Sequence, residues 1–136
     1  MTSKSHDQAQ EKYLEFQLVQ QQLEQLTKYM EELESKQAEF LSTKENLSEL
    51  KISKIGSDIF MPVAQGIFAK ATLSSSDELL VNVGADIAVT KPIPEVVSLI
   101  DRQIAEVKEI RFNIHANIEK LTERLNTVME ELESFS

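Results

Sequence analysis

The chain has no cysteine, which excludes disulfides and thiolate metal sites and suits a reducing compartment. Glycine and proline are scarce, with three of each in 136 residues. All six lie between Gly56 and Pro94, so neither flank contains a helix breaker. That favours long unbroken helices on both sides of a distinct middle segment. A positive surplus is also missing: 14 lysines and arginines stand against 23 aspartates and glutamates, for a formal net charge of −9. The deficit sits on the flanks. Residues 1–52 carry 6 basic and 10 acidic side chains, residues 94–136 carry 5 and 9, and the stretch between carries 3 and 4. Nucleic-acid binding needs a basic footprint, so no nucleic-acid partner is expected. An anionic membrane surface is disfavoured for the same reason. No apolar run approaches the ~18–20 residues of a membrane span, and the polar N-terminal stretch shows no secretory signal. The expected setting is cytoplasmic, with no membrane partner.

Reactive constellations are equally sparse. His6 and His115 are isolated, with no second His or Cys at ligand spacing, so no metal is expected. Ser74 to Ser76 lack a recognisable base and a nucleophile elbow. No glycine loop is present to cradle phosphate. Carboxylates are many, but on helix surfaces they are usually solvated or weakly paired. The sequence therefore predicts no enzyme, no catalytic residue and no cofactor.

The flanks carry a sustained heptad. On the left the series is Phe16, Val19, Leu23, Leu26, Met30, Leu33, Gln37, Phe40, Lys44, Leu47, and eight of the ten are apolar. On the right it is Val97, Ile100, Ile104, Val107, Arg111, Ile114, Ile118, Leu121, Leu125, Val128, Leu132, Phe135, with eleven of twelve apolar. A 3.5-residue period held this long means coiled coil rather than one globular amphipathic helix. The spacing predicts helix one over 8–52 and helix two over 94–135, each roughly 60–70 Å long at ~1.5 Å per residue. Ser5 with Gln8 suggests a capping box at the first start, and Gly56 a stop beyond its end. Pro92, Pro94 and Glu95 suit the first turn of helix two. Equal lengths joined by about forty residues imply an intramolecular antiparallel hairpin, pairing Leu47 with Val97 and Leu33 with Arg111. The polar seam residues Gln37, Lys44 and Arg111 then read as register control, which lowers stability, or as a specific polar layer.

Residues 58–91 lose the heptad and alternate with strand period. Four strands are expected, about 58–63, 67–73, 79–83 and 86–90, forming two β-hairpins. Ser74 to Asp77 make a polar turn, Ala64 to Gly66 a break, and Gly84-Ala85 a two-residue turn with glycine first. Pro62 belongs at an edge or strand end. Ile59, Phe60, Met61, Val63, Ile67, Phe68, Leu79, Leu80, Val81, Val83, Ile87 and Val89 are too many apolar residues for one face of so small a sheet. The hairpins are expected to pair with other subunits through them; the alternative is folding back onto the base of their own helices. The fold class is α+β: two long helices in an antiparallel coiled coil, joined by two β-hairpins that build an oligomeric β-barrel platform. The chain reads as a single domain, 1–136.

Helix, two hairpins, helix resembles the α class of the prefoldin family, whose β class has one hairpin. The segments Ile59-Phe60-Met61-Pro62-Val63, Ile67-Phe68-Ala69-Lys70-Ala71 and Leu80-Val81-Asn82-Val83-Gly84-Ala85-Asp86-Ile87-Ala88-Val89 are similar to that family's core. The similarity of plan covers nearly the whole chain, and the sequence-specific part is concentrated in about 58–104. Two positions depart from the pattern: Asp86 stands where a second glycine is frequent, and Thr90 where an acidic residue is.

The resemblance implies an archaeal-type hexamer of two α and four β prefoldin subunits, with a double β-barrel body and six hanging coiled coils. It implies capture of unfolded client proteins at the coiled-coil tips and delivery to a group II chaperonin, without ATP. Candidate client-binding residues are then Tyr13, Leu14, Phe16, Leu18, Val128, Met129, Leu132 and Phe135, where the coil loses neighbours at its free end. End packing, or contact with a neighbouring arm, is the plainer account of the same residues. Glu130, Glu131 and Glu133 lie at the negative end of the helix dipole and are expected to favour fraying. The competing function is a structural coiled-coil scaffold or filament-forming prefoldin-like homo-oligomer.

Overall fold

The computed structural model describes residues 2–135. Its order is α1 (Thr2–Ile52), β1 (Asp58–Ala64), β2 (Ile67–Thr72), β3 (Leu79–Gly84), β4 (Ile87–Lys91) and α2 (Ile93–Ser134). Helix α1 starts upstream of Gln8, so Ser5 lies inside the helix and caps nothing. Its first turn carries no acidic side chain. The other end is marked: Ser53 returns to the Glu49 carbonyl through both its N–H (3.1 Å) and its Oγ (2.8 Å). Helix α2 begins where Pro92 accepts from the N–H groups of Glu95 (3.1 Å) and Val96 (3.2 Å).

The heptad positions face inward. Of the series read from sequence, Phe135 is the exposed member, at 39%, and every other position is buried or half-buried. Contacts divide the chain into two compact units. The first comprises residues 1–37 and 106–136. Here α1 and α2 run antiparallel, early residues of one meeting late residues of the other, as in Lys12 with Glu131 at 2.5 Å. Val19, Leu33, Val107, Ile114 and Val128 are its buried aliphatics. Within this seam Arg111 donates from Nη1 to Gln37 Oε1 at 2.5 Å and from Nη2 to Glu34 Oε1 at 3.2 Å. Its Nε is buried and finds no hydrogen-bond partner among the described residues.

The second unit comprises residues 38–105. Leu47, Ile93, Val96, Ile100 and Ile104 form a buried cluster, with Phe40, Leu50, Leu79, Val81 and Val97 packed on it. Lys44 Nζ meets Asp101 Oδ1 at 2.6 Å beside this cluster. Hairpin β1–β2 is tied to the stretch after α1, since Gly56 N donates to Leu73 O (2.7 Å) and Leu73 N to Ser57 O (3.0 Å).

The two antiparallel hairpins repeat each other at a spacing of twenty residues. Ile59 pairs with Ala71 as Leu79 pairs with Lys91, and Ala64 pairs with Ile67 as Gly84 pairs with Ile87. Each has its register shift at the same place, between Pro62 and Ala64 and between Asn82 and Gly84. The second turn differs from expectation. Its central residues are Ala85 (φ 50) and Asp86 (φ 60), both left-handed. That is the pairing a primed turn requires, because its twist matches the strands. Gly84 (φ 109) closes the preceding strand instead, where Asn82 Oδ1 accepts from its N–H at 2.9 Å. Asp86 thus occupies a position that favours glycine, and Asp tolerates it better than most side chains.

Candidate functional site

Two surfaces qualify, one in each unit. The first is the end of the helix pair where α1 begins and α2 finishes. His6, Ala9, Gln10, Tyr13, Leu14 and Leu132 line a groove of about 520 Å³. It is open and mostly apolar because α1 places residues 6, 9, 10 and 13 at three- and four-residue steps on one side. Tyr13 is 55% and Leu14 63% exposed, and Leu132 forms the opposite wall, half-buried.

The predicted tip residues divide into four groups. Tyr13, Leu14 and Leu132 meet in the groove. Leu18, Met129 and Phe135 are exposed without lining it. Phe16 is half-buried in the seam. Val128 has no exposed surface at all; it packs between the helices and is a support of the site, not a contact. His6, Ala9 and Gln10 were not read as site residues: His6 and Gln10 are polar and off the heptad, and Ala9, one heptad before Phe16, is half-buried and too small to stand out.

The other flank of this end is polar. Lys12 Nζ sits 2.5 Å from Glu131 and 3.4 Å from Glu15, while Arg124 Nε donates to Glu15 Oε1 at 2.6 Å. The Glu131 carboxylate holds Lys12 above its ordinary pKa, against a smaller desolvation effect. The Arg124 guanidinium holds the Glu15 carboxyl below the usual carboxylate range, with Lys12 adding to it. Glu131 is therefore engaged across the seam rather than a source of fraying. This network needs the register to be known before it becomes visible, which is why the heptad alone missed it.

The second surface is the pair of hairpins. Leu79 and Val81 pack on their own helices' cluster, so these two predicted assembly residues serve the chain's own core at least in part, while Ile59 and Val89 are half-buried. Phe60 (72%), Leu80 (76%), Val63, Ile67, Phe68, Val83 and Ile87 are exposed. In β1–β2, Met61 shares a face with half-buried Ile59, whereas Phe60 and Phe68 share the opposite one, so both faces present apolar groups. A two-stranded ribbon is marginally stable at best by itself, and apolar groups on both its faces are the pattern of an interaction surface.

Among the described residues, no group of three or more His, Cys, Asp or Glu is placed to hold a metal ion. No described helix is long and apolar enough to cross a membrane. His115 is exposed, with Nε2 3.0 Å from Glu119.

Two long helices packed antiparallel and joined by two β-hairpins define the helical-hairpin class of oligomer-forming subunits. A family model described as Prefoldin subunit matches residues 19–136, and the chain belongs to the prefoldin family. Its curated relatives include the prefoldin subunit alpha of Archaeoglobus fulgidus, 26% identical over 127 residues, covering 93% of this chain and 88% of the relative. The prefoldin subunit alpha of Pyrococcus horikoshii is 28% identical over 115 residues, covering 84% and 78%. Among solved structures, a filamentous PFD from Methanocaldococcus jannaschii matches with a TM-score of 0.76 at 20% identity, covering 85% of this chain and 96% of that one. At that identity the likeness concerns the fold.

Proposed function

We propose that the chain works as one prefoldin-like domain, an α-class subunit of a cytoplasmic holding chaperone. It binds unfolded proteins at the end of its helix pair and passes them to a group II chaperonin, without nucleotide and without catalysis. Its hairpins join those of other subunits, two α with four β, in a shared β-barrel platform. The observation that carries this reading is the groove of Ala9, Tyr13, Leu14 and Leu132, an apolar site left open at a chain end.

Magnitudes support a shared mode of capture. Burying three such side chains contributes roughly 1.5–3 kcal/mol each, before the cost of ordering the client. One groove alone then holds a client at about millimolar affinity or weaker. Several grooves acting together gain the rest through effective concentration. The test is suppression of aggregation of a denatured client by the assembled complex without nucleotide. Removing residues 1–18 and 125–136 is expected to abolish protection and leave assembly intact; unchanged protection sinks the reading.

A second reading is a filament-forming homo-oligomer. The apolar groups on both hairpin faces support it, as does the likeness to a filamentous PFD. Mass measurement of the chain alone and with a β-class subunit separates the two.

A further inference from the structure

Four charged side chains cross the seam at the open end, and their spacing matters as much as their attraction. On α1, Lys12 and Glu15 stand three residues apart. On α2, Arg124 and Glu131 stand one heptad apart. The pairs are Lys12 with Glu131 at 2.5 Å and Glu15 with Arg124, whose Nε lies 2.6 Å from Oε1. We propose that this quartet is a register key: it admits one alignment of the two helices and rejects both neighbouring ones by like-charge contact.

The apolar seam alone does not choose between alignments. A shift by seven residues replaces one aliphatic heptad position by another along most of the coil, and such exchanges are tolerated. The charges do discriminate. If α2 moves so that residue 124 takes the place of 131, Lys12 faces Arg124. If it moves the other way, residue 131 takes the place of 124 and Glu15 faces Glu131. One shift brings two cations together and the other two carboxylates. The observed alignment alone gives two attractive pairs. Arg111 acts in the same sense against the first shift, which carries its half-buried guanidinium from Glu34 and Gln37 to Thr27 and Met30, where no carboxylate answers it. Exposed pairs are individually weak and screened by salt. The selection comes from exchanging attraction for repulsion, which a single pair does not capture.

Either shift would carry Leu132 about 10 Å along the axis, at ~1.5 Å per residue, away from Ala9, Tyr13 and Leu14. The key therefore positions the wall of the groove. That consequence rests on the client-binding reading above; the register itself does not.

The cysteine-free chain makes the test direct. Nitroxide labels on cysteines introduced at Thr27 and Asn126, both exposed, report the alignment of the full chain as a dipolar distance distribution. Glu15→Lys turns the observed pair with Arg124 repulsive and the shifted pair with Glu131 attractive, and is expected to shorten the label distance. Arg124→Glu does the reverse, repelling Glu15 and attracting Lys12 in the other shift, and is expected to lengthen it. Each displacement is about 10 Å, seven residues at ~1.5 Å. The double variant Glu15→Lys/Arg124→Glu restores both native attractions and should return the original distance, with helix content followed by circular dichroism. Unchanged distances in both single variants, broadening alike without opposite displacement, or helix loss that the double does not repair each overturn the key. Displacement with client protection unaffected supports the key and overturns the groove reading instead.

Discussion

Arg111 Nη1 lies 2.5 Å from Gln37 Oε1 within a seam built mostly of apolar side chains. The contact satisfies two polar groups that the heptad has turned inward, yet the buried Nε is left without a hydrogen-bond partner among the described residues. A layer of this kind specifies alignment and lowers stability. Replacing both members, Arg111→Leu with Gln37→Leu, is expected to stabilise the chain by about 1–2 kcal/mol, read from denaturant unfolding. Arg111→Leu alone should gain less, because Gln37 then stays half-buried and unpaired. A double variant less stable than the parent contradicts this account.

Ala85 holds φ 50 at the first central position of the second hairpin turn. A left-handed conformation costs an L-residue about 1–2 kcal/mol, and glycine escapes that cost while losing more entropy on folding. Ala85→Gly is expected to raise the unfolding free energy by up to about 1 kcal/mol. Ala85→Val, β-branched in the same conformation, should lower it by at least that much. Thermal melts of the two variants beside the parent check the opposite signs.

Glu15 is held below the ordinary 4.5 of a glutamate, chiefly by Arg124. A depressed carboxyl contributes stability that is fully present above its unfolded value and lost as pH falls through its folded one. Lys12 is held above its ordinary 10.5, chiefly by Glu131, so its share is complete below 10.5 and fades as pH rises past the folded value. Closure of the helix ends is therefore expected to be flat between about pH 5 and 10 and to weaken on both sides. The Thr27 and Asn126 label pair reports it, and Glu15→Gln should remove the acid limb of the network. Acid insensitivity of the parent would rule the network out as a stabiliser of this end.

Phe60 and Leu80 are 72% and 76% exposed, Leu80 on a hairpin whose Leu79 and Val81 pack on the helices' own cluster. Covering each apolar side chain contributes roughly 1.5–3 kcal/mol to assembly, and a buried unpaired carboxylate reverses that. Phe60→Asp with Leu80→Asp is expected to leave helix content unchanged and abolish assembly, as read by light scattering with a β-class subunit. Assembly at parental affinity would place the subunit interface elsewhere.

The helices and hairpins were legible because their information is periodic. Every residue of the left-hand heptad series, including Gln37 and Lys44, is at least half-buried. The second turn was misplaced by one residue for a definite reason: Gly84 advertises a positive φ, whereas Ala85 and Asp86 adopt it without advertising it. The site was only partly readable. Tyr13 and Leu14 stood out as apolar residues outside the heptad, but Val128, also singled out, is fully enclosed. The ion network escaped because Lys12 and Glu131 are more than a hundred positions apart, and their meeting depends on an alignment that composition does not carry.

The two hairpins carry the same irregularity at matching positions twenty residues apart. Their strands thus share one pairing frame, and β1 followed by β4 would keep that frame. Excising residues 65–84 would splice Ala64 to Ala85 and still spell strand, two-residue turn and strand, with the kink preserved. A two-ribbon subunit and a one-ribbon subunit then differ by a single clean deletion, so one ancestral ribbon copied in tandem suffices to produce the longer form.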